Sequence, residues 1–131
     1  MKKSGVLNAQ LSHVIATMGH TDTLVVADAG LPVPPGVECV DLAVTAGLPA
    51  LLDVLRAVAG ELQVEGMMVA DELLARDSPL PDAFRAVFPG VLLAHTPHEE
   101  FKRASAHARA IVRTGETTPY ANVLLRSGVT F

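Results

Sequence analysis

The chain has 131 residues, enough for one domain with a core that needs no staples. Fourteen acidic against ten basic residues give a formal net charge of −4; with no basic run, no Trp and one Tyr, this argues against a nucleic-acid surface. No window approaches the uninterrupted apolar stretch of about 18 residues that a membrane span needs, and the lone Cys39 excludes an intrachain disulfide.

Half of the residues are hydrophobic and only 18% are charged. Soluble monomers expose few large apolar patches, so the excess is read as subunit interface and a homo-oligomer is expected. The start, MKKSGVLNAQL, carries two lysines, but Asn8, Gln10 and His13 break the apolar stretch that a signal peptide requires. A reducing cytoplasm is the expected location.

Along the chain, Asn8 caps a helix in which Leu11, Val14, Ile15 and Met18 recur at helical spacing, and Gly19 stops it. TLVVAD, residues 23–28, reads as a buried strand, short and β-branched. AGLPVPPG is a loop and VECVDLAV a second strand. Pro49 opens a helical turn, and Leu51, Leu52, Val54, Leu55 and Val58 form an apolar face that ends at Gly60. QVEGMMVAD is a third strand, weakened by Gly66. A short helix, PDAFRAVFPG, and a fourth strand, VLLAH, follow. TPHE supplies Thr96 as N-cap, Pro97 in the first turn and Glu99 at the capping-box position of a helix through HEEFKRASAHA. AIVRTG and NVLLRSGV close the chain as strands. The alternation predicts a single α/β domain over residues 1–131, three layers α/β/α around a mostly parallel sheet.

In open α/β sheets, ligands bind beyond the carboxyl ends of the strands. Asp28 ends the first strand, His95 ends the fourth, and His98 lies in the first turn of the next helix, so these three can face one crevice. His20 follows a helix terminus and must fold back to reach Asp28. Each has a plainer reading. Asp28 suits a loop cap, and His20 suits a helix C-terminus, whose dipole favours a cation. His98 is either exposed or a neutral acceptor, since the dipole at a helix N-terminus disfavours imidazolium. Asp22 reads as a turn residue, His13 and His107 as surface. Tyr120 and Asn122, two apart, point the same way in an extended segment; phenol and carboxamide there either fix ligand hydroxyls or pack an edge and cap a turn.

Several chemistries lack their motifs. HTPH offers only an HxxH pair split by proline, with no HExxH, paired cysteines or EF-hand loop, so no metal is expected. Without a P-loop or GxGxxG, no nucleotide cofactor is expected either. RTGETTPYAN has one glycine, too few for a phosphate cradle, though Arg113 could bind an anion. Cys39 sits inside a strand pattern and no GxSxG occurs, so no covalent nucleophile is indicated.

Taken together, GVLN, MGHTDTLVVADAGLP, VDLAV, PHEEFK, RTGETTPYANVLL and the terminal GVTF resemble the ribose pyranase and fucose mutarotase family, from Lys2 to Phe131. The resemblance implies a cofactor-free isomerase that interconverts pyranose and furanose forms of ribose with anomer exchange. It matches His20 in GHTD to the family's catalytic proton donor. Asp28 in VVADAGLP, His98 in HEEF, and Tyr120, Ala121 and Asn122 in PYAN match its sugar-binding positions. It further implies a ring-shaped homo-oligomer, often two stacked pentamers, with sites near subunit contacts. Opening a hemiacetal removes a proton from the anomeric hydroxyl and delivers one to the ring oxygen, a task suited to imidazole. On this view Asp28 orients a hydroxyl or the imidazole, and His98 is a base or a hydroxyl ligand. A fucose mutarotase and a sugar-binding module without catalysis are the competing readings.

Overall fold

The computed structural model describes residues 1–131. Six strands form one sheet: β1 (Thr23–Ala27), β2 (Glu38–Asp41), β3 (Val64–Ala70), β4 (Leu92–Thr96), β5 (Ala110–Arg113) and β6 (Val123–Ser127). The helices are α1 (Ala9–Thr17), α2 (Leu51–Ala59), α3 (Asp71–Leu74), α4 (Leu80–Val87) and α5 (His98–Ser105). The strand order is β2-β5-β1-β6-β3-β4. β1 pairs in parallel with β5, β5 with β2, and β3 with β4. β6 runs antiparallel to both of its neighbours, β1 and β3. The sheet is therefore mixed, five strands one way and one central strand the other.

Alternation along β1 divides the core. Leu24 and Val26 join a large cluster with α1, α2 and α4, whereas Val25 and Ala27 join a smaller one with Phe101 of α5. This makes three layers, with α5 as the main cover of the second face. Phe101 is fully buried there, and burying a side chain of that size contributes about 1.5–3 kcal/mol. The rest of that face is thinly covered: Leu92 on the edge strand is 76% exposed.

The local readings hold in most places and fail where tertiary contacts intervene. Asn8 caps α1 by accepting the Leu11 N–H at 2.8 Å. That helix ends at Thr17, and Met18 turns out in extended conformation, so Gly19 is not its left-handed terminator. The residue with positive φ there is Thr21 (φ 72°). Thr96 does not cap α5: it completes β4 opposite Ala70, and Pro97 takes the cap position without a side-chain hydrogen bond. The His98 N–H, free of any partner within the helix, is met instead by Glu72 Oε2 of α3, at 2.9 Å. Gly66 marks a β-bulge, where the pairing of β3 with β6 shifts register between Val64 and Gly66.

Gly115 is needed for close approach. A Cβ on it would lie 2.4 Å from the Leu48 carbonyl oxygen and 2.5 Å from Thr45 O. The turn around residues 44–48 presses on the segment after β5 at this point, and the Gly115 N–H donates to Pro49 O at 2.9 Å.

Candidate functional site

The reversed direction of β6 decides which residues meet. The parallel strands end at one edge of the sheet, and β6 begins there. Asp28 follows β1 and residues 120–122 precede β6, so both arrive at the same edge, joined by α3 after β3 and α5 after β4.

Asp28 and Asn122 grip each other twice. The Asp28 N–H donates to Asn122 Oδ1 at 2.9 Å, and Asn122 Nδ2 donates to Asp28 Oδ2 at 3.1 Å. Gly30 N–H donates to the other carboxylate oxygen, Oδ1, at 2.9 Å. Asn122 is 1% exposed, so its carboxamide is a fixed internal brace, while Asp28 keeps a face to solvent. Asp28, Ala29, Gly30, Glu116 and residues 117–119 line an open cavity of about 380 Å³.

Glu116 ties that cavity together. Its carboxylate accepts the N–H groups of Thr117 and Thr118, both at 3.1 Å, and its carbonyl accepts from Ala29 N–H at 2.9 Å. Partial burial opposes its charge, but hydrogen bonds from Thr118 and the backbone N–H groups of Leu51 and Thr117 outweigh that, holding its carboxyl below the ordinary value. Beneath it, the buried Thr114 hydroxyl donates to Ala27 O at 2.8 Å.

Tyr120 sits in the left-handed region (φ 63°), a conformation that costs a non-glycine residue about 1–3 kcal/mol and recurs at functional sites. Its carbonyl accepts the Asn122 N–H at 2.8 Å, forming a tight turn. Ala121 is fully buried with its side chain in the larger core, and its N–H donates to Thr118 O at 3.2 Å. The Tyr120 ring meets His98 edge-on, with centroids 5.0 Å apart at 80°. On its other side His98 lies parallel to Phe101, at 6.3 Å and 9°. Two aromatic neighbours thus fix the imidazole plane. His98 Nδ1 is buried without a hydrogen-bond partner. Such an orphan costs about 1–3 kcal/mol, and exceptions of this kind call for a functional explanation.

Asp28, His98, Tyr120, Ala121 and Asn122 therefore gather at one edge. His20 does not join them. It lies in the turn before β1, whereas Asp28 follows β1, and five strand residues span about 16 Å. The His20 ring is half exposed, with Nε2 3.0 Å from Glu65 Oε2. Asp22 is a turn residue as expected, accepting the Gly19 N–H at 2.9 Å.

His95 and His98 take different partners: His95 Nδ1 lies 2.6 Å from Asp71 Oδ1, while the His98 ring is held between aromatic rings. Arg113 is not free for an anion as the sequence suggested, because Asp41, its register partner on β2, takes the guanidinium in a two-pronged ion pair. The Arg113 hydrogen bond, then the Ala43 N–H, hold the Asp41 carboxyl below its ordinary value. Burial and the Asp41 charge push the Cys39 thiol up, the wrong direction for a nucleophile.

Sequence reasoning missed Glu65, Glu72 and Glu116. In sequence each is an acidic residue on a strand, a helix or a polar loop. Only Glu116 had a signal, its place inside the unusual TGETTPYAN tail.

The family model described as the RbsD / FucU transport protein family matches residues 1–130. A protein of Laribacter hongkongensis named D-ribose pyranase is 53% identical over 131 residues, covering all of both chains. One of the same name from Geobacillus kaustophilus is 47% identical, covering all of this chain and 96% of its own. Among solved structures, Bacillus subtilis RbsD complexed with D-ribose superposes with a TM-score of 0.96 at 44% identity over the full length of both chains. A fucose mutarotase from Streptococcus pneumoniae in complex with L-fucose shares the fold, with a TM-score of 0.85 at 22% identity and full coverage of both.

Proposed function

Because the chain belongs to the RbsD / FucU family, we propose that it is a D-ribose pyranase, an isomerase that exchanges the β-pyranose and β-furanose forms of ribose. The observation that carries this reading is the edge cluster itself: the braced Asp28 carboxylate on an open cavity, and the Tyr120 turn whose ring meets His98 with its buried, unpartnered Nδ1. Near-complete likeness to a chain complexed with D-ribose supports the substrate.

The reaction needs no cofactor. One group takes the proton from the anomeric hydroxyl as the C1–ring oxygen bond breaks. Another delivers a proton to that oxygen, leaving an open-chain aldehyde. After rotation, the C4 hydroxyl attacks C1, loses its proton, and the carbonyl oxygen regains one. Each well-placed acid or base contributes about 10²–10⁴-fold. We assign proton delivery to His20. Asp28 and Tyr120 hold hydroxyls, while Asn122, buried, acts by bracing the Asp28 carboxylate, and Ala121, fully buried, packs its side chain in the core. His98, clamped in plane, receives a hydroxyl rather than swinging as a base.

His20 lies a strand's length from the other five residues, and this separation supports our reading that the complete site takes the partner subunit's His20. A homo-oligomer follows, and stacked pentameric rings are the assembly we propose. Exposed Leu7, Val44, Leu48 and Leu92 are apolar surface for such contacts. We place the enzyme in the cytoplasm; no helix is long and apolar enough to cross a membrane.

Exchange NMR on ribose tests the function. Pyranose–furanose interconversion is expected to run well above the buffer rate, to be unaffected by chelators, and to drop by about 10²-fold or more in His20→Ala. Exchange on L-fucose is expected to be slower than on ribose. Ribose binding without any rate enhancement would favour a transport-associated binding module and overturn the enzyme.

A further inference from the structure

His20 is not alone at its edge. Its Nε2 lies 3.0 Å from Glu65 Oε2, and Glu65 Oε1 lies 3.0 Å from Nε of Arg126. The backbone is shaped to make this row. Glu65 falls in the β-bulge, the irregularity between Val64 and Gly66, and bulges re-aim side chains beside functional positions. Room for it comes from Gly128, where a Cβ would approach Glu65 Cβ to 3.1 Å. The turn that carries His20 is pinned to the same strand end: Thr21 N–H donates to Ser127 O at 2.9 Å, and Ser127 N–H donates to Asp22 O at 2.8 Å.

Resting on the proton-donor reading above, we infer that Glu65 is the positioning residue of His20. It fixes the hydrogen on Nε2, so that Nδ1 is the atom that exchanges a proton with the sugar. An ionised carboxylate only accepts hydrogen bonds, so the nitrogen facing it must carry hydrogen. When Nδ1 gives its proton to the sugar's ring oxygen, the neutral ring left behind is the Nε2–H tautomer, already hydrogen-bonded. When the C4 hydroxyl attacks, Nδ1 takes a proton back and the cycle closes with no net change. Second partners of this kind set tautomer and ring orientation in other imidazole sites. Arg126 holds the far oxygen of Glu65 and so fixes the carboxylate plane. None of these contacts involves the edge where the sugar is held, so their loss acts on the chemical step rather than on binding.

The inference is tested on the assembled protein. In wild-type protein with ¹⁵N-labelled histidine, long-range ¹H–¹⁵N spectra should show neutral His20 as the Nε2–H tautomer. A dominant Nδ1–H form overturns the inference without any variant. In exchange NMR, Glu65→Ala should lose kcat by about 10²-fold, the scale of a misplaced reacting group, with the KM for ribose little changed. Glu65→Gln keeps an oxygen that can accept from Nε2–H and should fall between Glu65→Ala and wild type. Wild-type kcat in a folded Glu65→Ala protein, with His20→Ala inactive, sinks the positioning role alone. An active His20→Ala sinks the donor assignment and this inference with it.

Discussion

Asn122 shows how much one buried carboxamide does. It accepts the Asp28 backbone N–H and donates to the Asp28 carboxylate, so both the strand end and the solvent-facing carboxylate depend on it. Asn122→Ala leaves a part-buried N–H and a carboxylate short of a partner. That variant should lose about 1–3 kcal/mol in urea unfolding and bind ribose more weakly. Glu116 carries a pH dependence whose sign is fixed by its hydrogen bonds. Because folding lowers its pKa below 4.5, its stabilising contribution is present above that value and is lost as pH falls through the folded-state value. Glu116→Gln should therefore be less stable than wild type at neutral pH, with the gap narrowing in strongly acid buffer; a constant gap in urea melts would contradict this. Residues such as Asp28, Tyr120 and Asn122 could be singled out in the sequence, but their types and spacing left a ligand reading beside a structural one, and only the family resemblance favoured the first. Glu65 and Glu116 were not, because an acidic side chain on a strand or polar loop looks solvated until its partners are known.

At the scale of elements, the strands and most helices were readable from periodicity and punctuation, as β1 and α2 illustrate. The direction of β6 was not. NVLLRSGV reads the same for either sense, and only the register of Leu124 against both Val25 and Met68 sets it. That sense brings Tyr120 to the edge that carries Asp28 and His98. Thr96 failed as a cap for a related reason: pairing with Ala70 kept it in β4, and Glu72 from another element met the helix's free N–H. The segment 114–120 depends on the turn at 44–48, because no side chain fits between them at Gly115. Gly115→Ala should displace this segment, lower the unfolding temperature and weaken ribose exchange, even though residue 115 itself makes no proposed contact with the sugar. Normal exchange in a folded Gly115→Ala protein would show that the close approach is not needed.

For the whole molecule, the separation of His20 from the other five residues governs the outcome of mixing. His20→Ala and Asp28→Ala proteins, each inactive alone, should regain part of the exchange activity when unfolded and refolded together, because some junctions then unite an intact donor with an intact sugar edge. No recovery in verified mixed oligomers would place both groups in one protomer. The apolar excess seen in composition has its counterpart in Val44, 77% exposed, and in the uncovered end of the sheet at Leu92.

Strand β1 acts as a ruler between the two halves of the chemistry. On the proposed assignment, each chain carries two half-sites that become active only when neighbours meet. Specific activity should then decline with dilution, along the same curve as dissociation of the proposed oligomer, while far-UV circular dichroism still reports intact subunits.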